Sequence, residues 1–309
     1  MRIVVLCATR RGYRFLQKLA ELTPESELVV FSFREEPWEP PFFDDIRALT
    51  RALGGQFFEG RKLGNSRRVQ FWETTPIDLM LTVSWRYLLP SSVYLRPRLG
   101  TFVFHDSLLP IYRGFSPTVW AIINGEDHTG VTLFKMVEEL DAGDIIDQEH
   151  VRIGPDDTIG LIMEQVTDAY LRLLRRNLTA LLEGTSIGEP QDQEYATFTC
   201  KRLPQDNVID WSASTNQIYN LIRAVGTPYP GAFTFLNGKR LRIWAAQRLL
   251  QERNYIGRIP GRVVQTYPKE GAVVLTGDGA LLLTQVQFDD GELICADKIL
   301  NSLSLTLGQ

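Results

Sequence analysis

Two short stretches of this chain hold side chains suited to acid–base chemistry. The first is Phe104-His105-Asp106-Ser107-Leu108-Leu109-Pro110-Ile111-Tyr112-Arg113-Gly114, where His, Asp, Ser and Arg sit among apolar residues and Pro and Gly punctuate the backbone. The second is Leu140-Asp141-Ala142-Gly143-Asp144. A histidine titrates near neutrality and can both take and return a proton. A carboxylate can orient an imidazole and stabilise its charged form, which makes His105 and Asp141 a candidate pair. A lone histidine is more often structural, and Asp141 also reads as a tight-turn residue in Asp-Ala-Gly-Asp. Asp144 reads as a turn residue. Cys7, Cys200 and Cys295 are few and far apart, so the sequence offers neither a zinc spacing nor a disulfide framework.

The elements that must position these groups are legible in the hydrophobic pattern. Ile3 to Leu6 is a continuous aliphatic run, as in a parallel strand covered on both faces. Phe15, Leu16, Leu19 and Leu22 follow at helical spacing. Leu28 to Phe33, Ile77 to Val83 and Thr101 to Phe104 read as further strands, with a helix over 44–53. Thr129 to Met136 is another strand leading to the Asp141 turn, and 158–182 is a long amphipathic helix. Strands alternating with helices predict an α/β fold with a mostly parallel sheet. His105 falls where the fourth strand ends, and open α/β sheets bind ligands at the carboxyl ends of their strands.

Past Gly184 the composition changes. Residues 185–206 read as a linker between a first domain at 1–184 and a second at 207–309. The second domain has a helix over 213–225, then short strands at 232–236, 241–246, 261–266, 272–275 and 281–288. Asn237-Gly238 and Asp278-Gly279 are hairpin signals. Short strands joined by tight turns predict a small barrel.

Composition sets bounds. The net charge is −4 and no apolar run approaches the ~20 residues that span a bilayer. The N-terminal segment lacks the long apolar core of a signal peptide, so the expected location is the cytoplasm. An acidic chain is a poor polyanion binder on average, although residues 239–269 hold eight basic side chains against Glu252 alone. Cys7-Ala8-Thr9-Arg10-Arg11-Gly12 does not match Gly-x-Gly-x-x-Gly, which argues against a dinucleotide oxidoreductase.

The two polar stretches together resemble the signature of the folate-dependent formyltransferases, His-x-Ser-Leu-Leu-Pro followed by Leu-Asp-x-Gly-Asp. Gly130-Val131-Thr132-Leu133 and Trp120-Ala121-Ile122-Ile123-Asn124-Gly125 resemble further family patterns, as do Ile209-Asp210-Trp211, Tyr219-Asn220-Leu221-Ile222-Arg223-Ala224 and Pro228-Tyr229-Pro230-Gly231-Ala232-Phe233. The resemblance implies a Rossmann-like catalytic domain followed by a small barrel-like, OB-like domain. It implies formyl transfer from 10-formyltetrahydrofolate to a primary amine, with His105 and Asp141 as the catalytic pair. Ser107, Leu108, Leu109 and Pro110 would shape the folate entrance, and Tyr112, Arg113 and Gly114 would form the adjoining substrate loop. Tyr87, Leu88 and Leu89 would line the pterin pocket. No metal is implied, and the resemblance admits a homodimer.

One position departs from the pattern. The family usually carries Asn two residues before the histidine, and here Val103 stands there. That Asn donates toward the formyl oxygen, and losing one such donor typically costs about 100- to 1000-fold in rate. Three outcomes follow: another donor substitutes, with Ser107, Ser116 and Thr118 nearby in sequence; the enzyme is slow or acts on another one-carbon or acyl donor; or the chain binds folate or a nucleotide without transferring a formyl group. The leading acceptors are a nucleotide-linked amino sugar and initiator methionyl-tRNA. Residues 34–46 hold Glu35, Glu36, Glu39, Asp44 and Asp45 against Arg34. The corresponding region of tRNA formyltransferases is basic, so the sugar is favoured.

Overall fold

The computed structural model describes residues 1–64, 66–249 and 253–308. The chain forms two compact units. One comprises Met1–Pro117, His128–Arg152 and Met163–Cys200; the other comprises Thr118–Asp127, Ile153–Ile162 and Lys201–Gln309.

The first unit is built from β1 (Arg2–Cys7), α1 (Thr9–Leu22), β2 (Glu27–Ser32), α2 (Phe43–Ala52), β3 (Gln56–Glu59), α3 (Ser66–Thr74), β4 (Leu79–Val83), α4 (Ser91–Tyr94), β5 (Thr101–His105) and β6 (Arg113–Gly114). The chain passes through α5 (Pro117–Asn124) in the second unit. It returns as β7 (His128–Lys135) and β8 (Ile145–Arg152), then α6 (Ile159–Glu183) and β9 (Phe198–Thr199).

The main sheet runs β3-β2-β1-β4-β5-β7-β8. Its first five strands are parallel, and β7 and β8 join antiparallel. Ile3 to Cys7 are wholly buried, as a centre strand covered on both faces requires. On α1, Arg11, Phe15 and Leu19 recur every four residues and share the buried face. Strand order reverses at the β1/β4 boundary, where doubly wound sheets open a crevice at the carboxyl ends of the strands.

The second unit continues through α7 (Thr215–Val225), β10 (Ala232–Leu236), β11 (Lys239–Arg248), β12 (Val263–Tyr267), β13 (Gly271–Leu275), β14 (Ala280–Phe288) and β15 (Ile294–Cys295). Its antiparallel sheet runs β10-β11-β14-β13-β12, with β15 beside β14. Asn237 and Gly238 form a two-residue turn with φ of 51° and 74°, the double left-handed conformation that matches the twist of a hairpin. Register shifts along β11 and β12 mark bulges, which bend strands and increase their twist. α7 starts at a capping box in which Ser214 and Gln217 bond each other's backbone N–H.

Candidate functional site

His105 is the last residue of β5, only 8% exposed. Its Nε2 lies 3.0 Å from the carbonyl oxygen of Tyr112. A carbonyl can only accept, so Nε2 carries the proton and Nδ1 is the basic nitrogen of the neutral ring. Asp141 Oδ2 lies 3.7 Å from Nδ1. A ring that takes a second proton at Nδ1 therefore presents it beside a carboxylate.

The route by which Asp141 arrives is not apparent from sequence spacing. β7 runs antiparallel to β5, pairing Thr132 with His105 and Lys135 with Phe102. The 136–144 loop thus starts at the amino end of β5 and folds back to bring Asp141 to His105. Asp141 adopts φ of +51°, a left-handed conformation that non-glycine residues seldom take. Its Oδ2 accepts the Gly114 N–H at 2.8 Å. A Cβ on Gly143 would lie 1.7 Å from the Lys135 carbonyl oxygen, so the turn admits only glycine there. The carbonyl of exposed Asp144 accepts from Lys135, as a turn residue does.

Ser107, Leu108, Leu109 and Pro110 form a loop fastened from below. Thr132 Oγ1 donates to the Ser107 carbonyl (2.6 Å) and accepts from Leu109 N–H (3.0 Å). Gln148 Nε2 on β8 donates to the Leu109 carbonyl (2.9 Å) and reaches Thr132 Oγ1 (2.9 Å). Leu109 is buried core. Leu108 lies over Gly130, where an added Cβ would come within 2.3 Å of its Cδ2. Ser107 is buried, and its hydroxyl donates to the Ile111 carbonyl at 2.8 Å.

Val103 sits on β5 between Thr82 and Phe134 in register and is half-buried. Its side chain has nothing to donate. Ser107 is committed to Ile111, and Ser116 is exposed with φ of 52°. Thr118 belongs to the other compact unit.

Beyond β4 the chain turns at Ser84, φ 55°. Trp85 and Tyr87 pack edge-on against Phe33, with ring centroids 5.4 Å and 5.0 Å away. The buried Trp85 indole N–H has no partner among the described residues. Leu88 is 83% exposed, while Leu89 packs on the core formed by Leu63, Trp72 and Val93. Arg86 pairs with Glu39 through its two terminal nitrogens, Nη1 and Nη2. Burial raises the Glu39 carboxyl, but its bonds to Arg86 outweigh this and hold it below the usual range.

Tyr112, φ 60°, donates its N–H to Thr197 Oγ1 at 2.8 Å. Arg113 lies in the predicted substrate loop, but its side chain turns inward and is fully buried. Its Nε and Nη2 donate to Gln191 Oε1 (3.1 and 2.6 Å), and Nη1 donates to Gln193 Oε1 (2.9 Å). These glutamines come from 185–206, expected as a linker; the segment instead pairs β9 with β6. Gln191 was not singled out from sequence, because its role depends on a contact 78 residues away.

A second group escaped the sequence reading. Arg11 Nη1 donates to both Asp106 oxygens, at 2.7 and 2.6 Å, and its guanidinium lies 4.8 Å from the Tyr170 ring centre. The Tyr170 hydroxyl lies against the Phe104 carbonyl, 2.9 Å away, and against Asp106. Burial raises the Asp106 carboxyl, but the Arg11 charge, the Tyr170 and Arg11 hydrogen bonds and the His105 charge together hold it below the usual carboxylate range. Burial and the Asp106 charge push the Tyr170 phenol well above its ordinary value. The available signal was Arg11 itself, a cation four residues before Phe15 on the apolar face of α1. Cys7 is pushed up to about 12, mainly by burial and then by Glu35, so its thiol is inert at neutral pH.

The acids of 34–46 are partly tied down. Glu35 accepts backbone N–H groups of Thr9, Phe42 and Phe43, and Asp44 pairs with Arg47 and Arg34. In the basic 239–269 stretch, Arg240 and Arg242 pair with Asp289, and Arg248 pairs with Asp156. Arg258 donates to the Thr276 and Gly279 carbonyls, and Arg262 to Thr306. Glu252 lies outside the described residues. Among the described residues, no group of three or more His, Cys, Asp or Glu could hold a metal ion, and no helix is long and apolar enough to cross a membrane.

Two family models match. Residues 20–178 match "Formyl transferase" and residues 203–304 match "Formyl transferase, C-terminal domain". Solved structures share the fold. HypX from Aquifex aeolicus in complex with tetrahydrofolic acid superposes with a TM-score of 0.62 at 22% identity, over 97% of this chain and 47% of its own. The chain therefore spans about half the length of the HypX chains it matches. The N-formyltransferase from Helicobacter canadensis, in complex with folinic acid and dTDP-3-aminofucose, gives a TM-score of 0.68 at 14% identity over 91% of this chain and 98% of its own. Methionyl-tRNA formyltransferase from Clostridium thermocellum gives 0.58 at 19% identity over 81% and 94%.

Proposed function

The chain belongs to the formyl transferase family, and we propose that it moves a formyl group from 10-formyltetrahydrofolate to the primary amine of a nucleotide-linked amino sugar. The observation that carries this reading is the His105–Asp141 pair at the carboxyl end of β5. Its basic Nδ1 faces a carboxylate fixed by the Gly114 N–H.

The residues present fit the donor. The Trp85 indole N–H, which has no partner among the described residues and lies between Phe33 and Tyr87, offers a hydrogen bond beside aromatic surface. Both suit a flat heteroaromatic ring rich in acceptors. Tyr87, Leu88 and Leu89 are the proposed pterin-side residues, and Ser107 to Pro110 the entrance held by Thr132 and Gln148. The substrate supplies an activated formyl carbon. The amine nitrogen forms a bond to that carbon, and the bond to the folate nitrogen breaks. His105 Nδ1 takes the proton released by the attacking amine and returns it to the departing nitrogen, so the ring ends as it began. Asp141 stabilises the charged ring in between.

The acceptor assignment rests on the acid-rich 34–46 segment, which disfavours phosphate backbones. In the basic 239–269 stretch, Asp289 and Asp156 pair with Arg240, Arg242 and Arg248, which offsets part of its charge. The test supplies purified protein with 10-formyltetrahydrofolate, an amino-sugar nucleotide and initiator methionyl-tRNA together. Formyl should appear on the sugar nitrogen; formyl-methionyl-tRNA as the main product would overturn the assignment.

A further inference from the structure

The loop before β6 and the loop before β8 meet at His105, and one side chain joins them. Asp141 and His105 both depend on the backbone at 112–114: the Tyr112 carbonyl accepts from His105 Nε2, and the Gly114 N–H donates to Asp141 Oδ2. Between these residues, Arg113 turns its guanidinium into the protein, where it is fully buried. The Glu139 carboxylate stands 3.9 Å from it, outside hydrogen-bond range, so its close acceptors are neutral amides.

Gln191 is buried and uses both ends of its amide. Its Oε1 accepts two bonds from Arg113, and its Nε2 donates to the carbonyls of Asp141 (2.8 Å) and Gly143 (2.7 Å). Those carbonyls belong to the turn that holds Asp141 in its left-handed conformation, which must be stabilised by its surroundings to persist. A cation at the oxygen polarises the amide and strengthens its N–H donors.

We propose that Gln191 is a positioning residue for the acid–base pair: its amide locks the Arg113 strand, which holds His105, to the turn that holds Asp141. Only an amide both accepts from a guanidinium and donates to two carbonyls. Glutamate would keep the first role, lose the second and set an anion against two carbonyl oxygens. Asparagine is one methylene short of spanning the gap. The segment 185–206 thereby completes the site through Gln191.

The functional half of this inference rests on the formyl-transfer reading, so the experiment has two readouts. The chain holds three histidines, so the His105 ring signal can be assigned in NMR spectra with a His105→Gln control. Asp141→Asn should move the His105 ring signal at fixed pH by removing the carboxylate beside Nδ1, while Asp106 stays in place. Gln191→Met should move that signal in the same direction, and the Asp141→Asn/Gln191→Met double variant should move it no further than Asp141→Asn alone. In turnover, Gln191→Met should lower kcat up to about 100-fold at an unchanged KM for the folate, the scale of a small misplacement near the reacting atoms.

A folded Gln191→Met protein with an unmoved His105 signal overturns the proposal, as does an additive double variant or an unchanged kcat. If Gln191→Met does not fold, the same comparison is made with Gln191→Glu, which keeps the acceptor for Arg113. If wild-type protein formylates no amine, the reaction assignment fails, while the NMR comparison still decides the role of Gln191.

Discussion

Replacing Asp106 with alanine leaves the Arg11 guanidinium, 8% exposed, without its carboxylate and with a cation against the Tyr170 ring. Breaking a fully enclosed ion pair by removing one partner typically costs about 3–5 kcal/mol. The Asp106 side chain keeps 21% of its area in solvent, so water can partly replace it, and the expected loss is about 2–3 kcal/mol. With a urea slope of about 2–3 kcal/mol/M, the midpoint of the unit containing β5 falls by roughly 1 M. Asp106→Asn should lose less, because it keeps an acceptor for Arg11. An Arg11→Met/Asp106→Leu pair should recover most of the loss, since no unpaired charge remains.

The pH dependence carries a defined sign. The folded Asp106 carboxyl lies below its unfolded value, so its contribution is fully present above about pH 4 and is lost as pH falls through the lowered folded value. The Tyr170 phenol is raised on folding, so its contribution is present below about pH 10 and is lost above that as pH rises toward the folded value. Urea titrations at several pH values read both limbs, and Asp106→Asn should flatten the acid limb. A loss below about 0.5 kcal/mol in Asp106→Ala, which is typical of a surface site, would refute the buried-pair reasoning.

Other outcomes follow from the same geometry. Val103→Asn should restore a carbonyl-oxygen donor and raise formyl transfer by up to about 100-fold in a continuous folate assay; an unchanged or lower rate would count against a weakened oxyanion site. Gly143→Ala should abolish turnover, because its Cβ meets the Lys135 carbonyl 1.7 Å away, and circular dichroism with activity measurements would register the damage. Gln148→Leu removes the donor to the Leu109 carbonyl and should raise the KM for the folate several-fold with a smaller change in kcat.

Much of this was legible in the chain. The buried runs at 3–6 and 79–83 form parallel strands because aliphatic residues on both faces leave no solvent side. Asn237-Gly238 forms its hairpin because both residues tolerate positive φ. β8 was missed: Ile145-Ile146-Asp147-Gln148-Glu149-His150-Val151-Arg152 is an edge strand whose polar residues serve the loop of Ser107 to Pro110 and α6 rather than a core. β3 was missed because it is a short edge strand of half-buried and exposed residues. At the site, sequence marked His105 and Asp141 as partners, but not that a loop from the far end of β5 joins them. Arg113 reads as a substrate-loop cation by type; its burial follows from Gln191 and Gln193, which lie almost 80 residues away and look like solvated linker residues in isolation.

The central claim is that His105, its charged ring stabilised by Asp141, moves protons during formyl transfer to an amine. The most direct measurement is mass spectrometry of a primary-amine panel, including nucleotide-linked amino sugars, after incubation with 10-formyltetrahydrofolate and wild-type, His105→Ala or Asp141→Asn protein, with folate binding measured by calorimetry on the same samples. The account predicts a formylated amino sugar with wild-type protein, its loss in both variants, and folate affinity retained in all three. Equal formylation by the variants, or folate binding by wild-type protein with no amine formylated, would contradict it.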